Sequence, residues 1–123
     1  MEIADKQSLS VLMTAMYIAK WESDDDNAHV TEIAGSPVFA QLYRDLVDAV
    51  IRLDADKPPA VRRWEAWRAI EQRPEQLDRT RARILSSSRL WATWSREQKQ
   101  YWVACLLSPF TATAATLEEL LAL

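Results

Sequence analysis

Two runs of residues in this chain have types and spacings suited to recognition chemistry. The first is basic and aromatic: Arg62, Arg63, Trp64, Trp67 and Arg68, followed by Arg79, Arg81 and Arg83. Arginine offers a planar fork for phosphate or carboxylate and stacks on aromatic rings. Single-stranded nucleic-acid surfaces interleave such cations with aromatics. Protein hot spots are also rich in Trp and Arg. The second run is acidic: Glu22, Asp24, Asp25 and Asp26, with Asn27 and Glu32 close by. Such a run suits a solvated turn, a cation site, or a patch that imitates nucleic-acid phosphates toward a basic protein groove.

Calcium coordination fails on spacing. A calcium loop needs oxygen ligands at set positions and Gly at the sixth. Counted from Asp24, the fifth residue is Ala28 and the sixth is His29. Counted from Glu22, no Glu stands at the twelfth position.

Catalytic candidates are equally thin. His29 is the only histidine and lies beside acidic residues in an expected loop, whereas a general base needs a positioned partner. Ser86, Ser87 and Ser88 lack the flanking glycines of a nucleophile elbow. Glu118 and Glu119 are adjacent, so on a helix they do not face each other. Cys105 is the single cysteine and sits in an apolar run, where a free thiol acts as a small core hydrophobe. One Cys and one His cannot build a Cys/His metal centre or an internal disulfide. The single glycine, Gly35, rules out phosphate-cradling loops that need several. No catalytic, cofactor-binding or metal-ligating residue is therefore assigned, and a non-enzyme is expected.

The elements that must position these runs read as helices. The 123 residues suit one domain, and 49% are hydrophobic. Residues 5 to 21 carry a stripe of Leu9, Leu12, Met13, Met16 and Tyr17. Residues 28 to 34 form a short turn of helix ending at Gly35. Ser36-Pro37 caps a helix to about Leu53, with Phe39, Leu42, Leu46, Val50 and Leu53 as its stripe. After Pro58-Pro59 a helix over about 59 to 72 places Trp64 and Trp67 on one face. Another, from Pro74 to about 89, buries Leu77, Ile84 and Leu85 and carries Glu75, Arg79 and Arg83 on its outside. Ser95 and Gln98 predict a capping box opening a helix over 96 to 107. Residues 101 to 107 also admit a buried strand, because short apolar runs are ambiguous. Thr116 and Glu119 predict a second box and a terminal helix over 117 to 123. The sum is an all-α single-domain bundle of five to six helices with no significant sheet.

Charge divides the chain into three blocks. Residues 1–56 carry 4 basic and 11 acidic residues, and residues 57–100 carry 11 basic and 5 acidic. Residues 101–123 carry 2 acidic residues and no basic ones. The net charge of −3 is therefore mostly a cancellation of −7 and +6. Four of the six tryptophans fall in the basic block.

Three functional readings follow. The first is a module that binds a partner protein, such as an inhibitor, an immunity or phage counter-defence protein, or a small subunit of a complex. The second is a nucleic-acid-binding subunit of a ribonucleoprotein using residues 62–96, although a pI near 5.2 argues against a general DNA binder. The third is an acidic nucleic-acid mimic. Opposed charge blocks also suggest homo-oligomers. A purely structural reading competes with all of these: Trp serves as the large core residue, and arginine stems cover core edges and pair with the acidic half. Solvent-facing Arg79, Arg81 and Arg83 would favour nucleic acid. Arginines held on Asp45 and Asp48, or six buried tryptophans, would favour the structural reading. No stretch is long and apolar enough to span a membrane, and Met-Glu-Ile-Ala-Asp is not a secretory start. A cytoplasmic protein without membrane contact is expected.

Overall fold

A computed structural model describes residues 5–123. Among the described residues there are eight α-helices and no strand: α1 Lys6–Tyr17, α2 Ala28–Ala34, α3 Pro37–Leu53, α4 Pro58–Arg68, α5 Pro74–Ser86, α6 Ser88–Thr93, α7 Arg96–Leu107 and α8 Ala114–Leu121. The all-α class is as expected, with two helices more than the upper expectation.

Local chemistry sets several boundaries. Asp5 caps α1 by accepting from Ser8 N, and Ser36 caps α3 by accepting from Phe39 N. Ser95 and Gln98 form the reciprocal capping box of α7. Residues 101–107 are helical, not a strand, and bury Val103, Cys105, Leu106 and Leu107.

Tertiary contacts override the sequence pattern elsewhere. The helix expected over 59–72 stops at Arg68. There Ile70 N donates to Thr111 O at 2.9 Å and Thr111 N donates to Arg68 O at 2.8 Å, which holds Ala69 extended. A short 3₁₀ turn, Ile70–Gln72, follows. The helix expected to reach 89 ends at Ser86, whose hydroxyl turns back to Arg83 O at 2.8 Å. The last helix starts three residues before its expected position. Thr113, not Thr116, is its cap, and Thr116 supplies the N–H that the cap accepts.

The buried face of α3 is rotated from the expected stripe. Ala40, Tyr43, Val47 and Val50 are buried, whereas Leu42 and Leu53 are exposed. On α5, Leu85 is exposed, and the interior face is Thr80, Arg83 and Ile84.

The continuation of α1 is unusual. Ile18–Glu22 forms a π-helical turn, wider than the α-helix. It turns two consecutive side chains, Lys20 and Trp21, into the interior. Trp21 joins a core with Ile70, Ile84, Trp91, Val103, Leu106, Phe110 and Leu120.

All six tryptophans are buried or half-buried. Trp64, Trp67, Phe110 and Trp21 form a chain of ring contacts, with centroids 5.5, 5.0 and 5.6 Å apart in order. Trp91 and Trp94 both pack on Trp102, at 6.0 and 5.2 Å. Tilted and edge-on rings at these separations are the favoured aromatic geometries. Arg73 stands 4.9 Å from the Trp67 ring, and Lys99 stands 5.0 Å from the Trp91 ring. Trp21 and Trp91 are core residues, Trp67, Trp94 and Trp102 pack against the core half-buried, and Trp64 lies outside it, so the six buried tryptophans of the structural reading are met only in part.

Candidate functional site

The acidic run and the basic segment meet. Residues 23–27 cross α5 at Arg79 and Arg83, so these arginines do not face solvent as the nucleic-acid reading required. Asp25 Oδ1 accepts from Arg83 Nη2 at 2.9 Å, and Asp25 Oδ2 accepts from Arg79 Nε at 3.2 Å. Arg79 also donates to the carbonyls of Trp21 and Ser23, and Arg83 donates to the carbonyl of Lys20. The π turn and the loop after it leave these carbonyls without helical partners. Arginine, with five donors in a fixed fork, can serve several at once. Only 8% of the Arg83 side chain is exposed. Its guanidinium stands 5.0 Å from the Trp21 ring centroid, and its Nη1 has no hydrogen-bond acceptor among the described residues. Burial lowers the Arg83 pKa, partly offset by Asp25. For Asp25, desolvation raises the carboxyl pKa, but the bonds and charges of Arg79 and Arg83 outweigh it and hold it below the usual range.

Under the same loop lies Lys20. Its side chain is fully buried, and Nζ donates to Cys105 O and Ser108 O, each at 2.7 Å. Cys105 lies in the last turn of α7 and Ser108 is its C-cap, where the helix leaves acceptors unpaired and where the dipole favours a cation. Burial pushes the Lys20 pKa well below the ordinary lysine value, and the Arg83 charge adds to that. Sequence reading missed this residue. The signal was present: Lys20 continues the α1 stripe three residues beyond Tyr17.

The other basic candidates divide by what they touch. Arg68 donates to Pro109 O at 2.9 Å and Asp48 at 2.6 Å, and Arg81 reaches Asp78 at 2.9 Å and Glu119 at 2.8 Å. Trp64 Nε1 donates to Asp54 at 3.1 Å, and Asp54 also receives Lys6 at 2.9 Å. These two donors lower the Asp54 pKa. Trp67 is half-buried between Trp64 and Phe110. Arg62 and Arg63 are exposed and make no ion pair among the described residues. The arginine partner expected at Asp48 exists, but it is Arg68. Asp45 instead receives Gln41 at 2.8 Å.

Of the eight ion pairs among the described residues, six join different charge blocks. Much of the opposed charge is therefore matched inside one chain.

Outward from Asp25, the acidic run is free. Glu22, Asp24 and Asp26 are exposed and make no ion pair among the described residues. The loop itself is locally tied: Asp26 N donates to Asp24 Oδ1 at 3.0 Å, and Thr31 Oγ1 donates to Asp25 O at 3.2 Å. Behind it, between α2, α5 and α7, a cleft of about 400 Å³ is lined by Asp26, Thr31, Ala34, Gly35, Ala82, Arg83, Ser86, Ser87, Trp102 and Leu106, with Asp25. Gly35, the one glycine, is here. Its φ is −101°, so it is not chosen for a left-handed turn. A Cβ at this position would stand 2.9 Å from Trp102 Nε1. Gly35 lets the indole edge of Trp102 pack directly on the backbone.

A second exposed surface is the outer face of α1. Val11 and Ile18 are exposed, and residues from Gln7 to Ala19 include no charge. Among the described residues no helix is long and apolar enough to cross a membrane, and no three His, Cys, Asp or Glu side chains are grouped to hold a metal ion.

No protein-family model, curated protein or solved structure matches the chain.

Proposed function

We propose that the chain is a non-enzymatic interaction module that binds a protein partner of basic character through the loop Glu22 to Asp26. One observation carries this reading. Asp25, partly exposed itself, is turned onto α5 and held by Arg79 and Arg83, while Glu22, Asp24 and Asp26 around it are exposed and make no ion pair among the described residues. A loop ordered before binding loses less entropy when a partner arrives. Unpaired carboxylates on it steer a cationic surface toward the site. An inhibitor, an immunity or counter-defence protein, or a small subunit of a complex would all use such a surface.

The test compares wild type with Glu22→Gln/Asp24→Asn/Asp26→Asn in quantitative affinity purification from the cells that make the chain. The expected result is a specific partner recovered with wild type and lost with the variant, the two being equally folded. Equal recovery overturns the reading.

Self-association is a second reading, favoured by the uncharged surface from Gln7 to Ile18, on which Val11 and Ile18 are exposed. Light scattering of wild type and Val11→Glu tests it. A monomer at every concentration and salt removes it.

A further inference from the structure

We propose that the cleft between α2, α5 and α7 receives a single basic side chain, arginine or lysine, from the protein partner. This rests on the reading of the acidic loop as a protein-binding surface, and it specifies how one contact is made.

The charge of the lining decides the sign of the occupant. The charged side chains at the cleft are Asp25, Asp26 and Arg83. Asp25 is shared by Arg83 at 2.9 Å and Arg79 at 3.1 Å, so its charge is fully met. Arg83 cannot serve an anion in the cleft, because its unpaired Nη1 is closed off from solvent. The lining carboxylate left without a partner is that of Asp26, which accepts no hydrogen bond from any described residue, and the carboxylates from Glu22 to Glu32 outnumber the two guanidinium groups that meet them. Exposed Glu22, Asp24 and Glu32 add to the negative field at the loop.

The shape of the lining decides what kind of cation. Trp102, Leu106, Ala34 and Ala82 give an aromatic and aliphatic wall, and Thr31, Ser86 and Ser87 give hydroxyl groups. A long side chain with an apolar stem and a charged head fits such a division. The stem lies on Trp102 and Leu106, and the head meets Asp26. An indole face is also the strongest of the aromatic surfaces for a cation. The position of Trp102 is set from both sides, by Gly35 at its Nε1 edge and by Trp91 and Trp94 at its ring. The wall is therefore formed before anything binds.

The experiment uses the full chain with ¹⁵N-labelled tryptophan and follows the indole signals, with the Trp102 signal identified by Trp102→Phe. The probe is Nα-acetyl-arginine methylamide, and its neutral control is the citrulline analogue. The expected result is a saturable shift of the Trp102 signal, with Kd on the order of 1 mM or above for one isolated side chain. The citrulline analogue leaves the signal in place. Asp26→Asn keeps the fold, since the carboxylate takes part in no hydrogen bond or ion pair among the described residues, and weakens the probe by at least about threefold. No saturable shift, an equal shift with citrulline, or indifference to Asp26→Asn overturns the proposal. Spermidine bound about tenfold more tightly than the arginine probe also overturns it, by assigning the cleft to a free polyamine. The two readings fail separately. If Glu22→Gln/Asp24→Asn abolishes partner capture and the probe does not bind, the loop surface stands and the cleft contact falls. If partner capture is indifferent to all three acidic positions, the surface reading falls, and the partner side chain falls with it.

Discussion

Arg83 Nη2 meets Asp25 Oδ1 at 2.9 Å, joining two residues 58 positions apart in the chain. The pair ties the acidic loop to α5. Removing the carboxylate charge leaves a buried guanidinium facing only carbonyls. Asp25→Asn is expected to destabilise the fold by about 1–3 kcal/mol, below the range for fully buried pairs because the Asp25 side chain is 41% exposed. Urea denaturation with an unchanged slope measures it. Asp25→Asn and Arg83→Met should also combine less than additively. A loss under about 0.5 kcal/mol, or strict additivity, would show that the clamp does not hold the loop. The pH dependence has a definite sign. The folded Asp25 pKa is lowered, so its contribution is present above the unfolded carboxyl value and is lost as pH falls through the folded one. Wild type and Asp25→Asn should begin to converge in stability as pH falls below about 4, and the carboxylate's contribution should be gone only below the lowered folded value.

Gly35→Ala tests the contact with Trp102. The backbone angles at Gly35 suit any residue, so a substitution without steric conflict would stabilise by about 0.4–1 kcal/mol. The new Cβ, 2.9 Å from Trp102 Nε1, forces the indole to shift instead. A net loss of about 1–3 kcal/mol is expected. The altered Trp102 environment should appear in near-ultraviolet circular dichroism. In a Trp102→Phe background, where no indole nitrogen meets the Cβ, Gly35→Ala should cost much less. A stabilised single variant would refute the close packing.

The parts of the fold that were legible are those in which neighbours in sequence settle the outcome. Ser36 with Pro37 and Ser95 with Gln98 are local capping chemistry, and both helices begin where these residues place them. Trp64 and Trp67, three apart, do meet on one face. What was not legible depends on distant partners. Arg79 and Arg83 read as the solvent face of α5 because arginine is usually exposed. Their burial comes from carbonyls left unpaired by a π turn about 60 residues earlier, and no local pattern announces that turn. The helix after Pro58 stops at Arg68 because Thr111 pairs with the backbone there. The acidic run and the basic segment were both singled out as candidate surfaces. Their mutual contact through Asp25 was visible only as the possibility that arginines pair with the acidic half.

Lys20 makes a prediction in alkali. Its folded pKa is lowered by burial, with Arg83 adding to the effect, so over a range below 10.5 the unfolded chain holds a proton that the folded chain has released. Stability contributed by this group therefore rises with pH through that window, by at most about 1.4 kcal/mol per pH unit. Cys105 works in the opposite sense, because burial raises its thiol pKa. Arg44 also faces Lys20, lowering its pKa. The difference between wild type and Lys20→Met cancels terms common to both. That difference should move in favour of wild type as pH rises toward 10. A flat difference would mean that the ammonium keeps its proton against Cys105 O and Ser108 O throughout.

Arg62 and Arg63 decide how much of the nucleic-acid reading survives. With Arg79 and Arg83 turned to the loop, and Arg68 and Arg81 paired to carboxylates, these two are the candidate arginines left exposed on α4 without an ion pair among the described residues. Trp64 and Trp67 beside them are half-buried against Asp54 and Phe110, so they offer little open ring face for a base to stack on. Two surface cations can release about two counterions, which gives a shallow salt dependence and weak affinity. Arg62→Gln/Arg63→Gln is therefore expected to leave stability within about 0.5 kcal/mol of wild type, because neither side chain holds a buried partner. In gel-shift or fluorescence titration at about 50 mM salt, wild type should show no saturable affinity for single-stranded RNA or DNA. Binding that is saturable, falls with salt and vanishes in the double variant would overturn this expectation and move the functional surface from the acidic loop to α4.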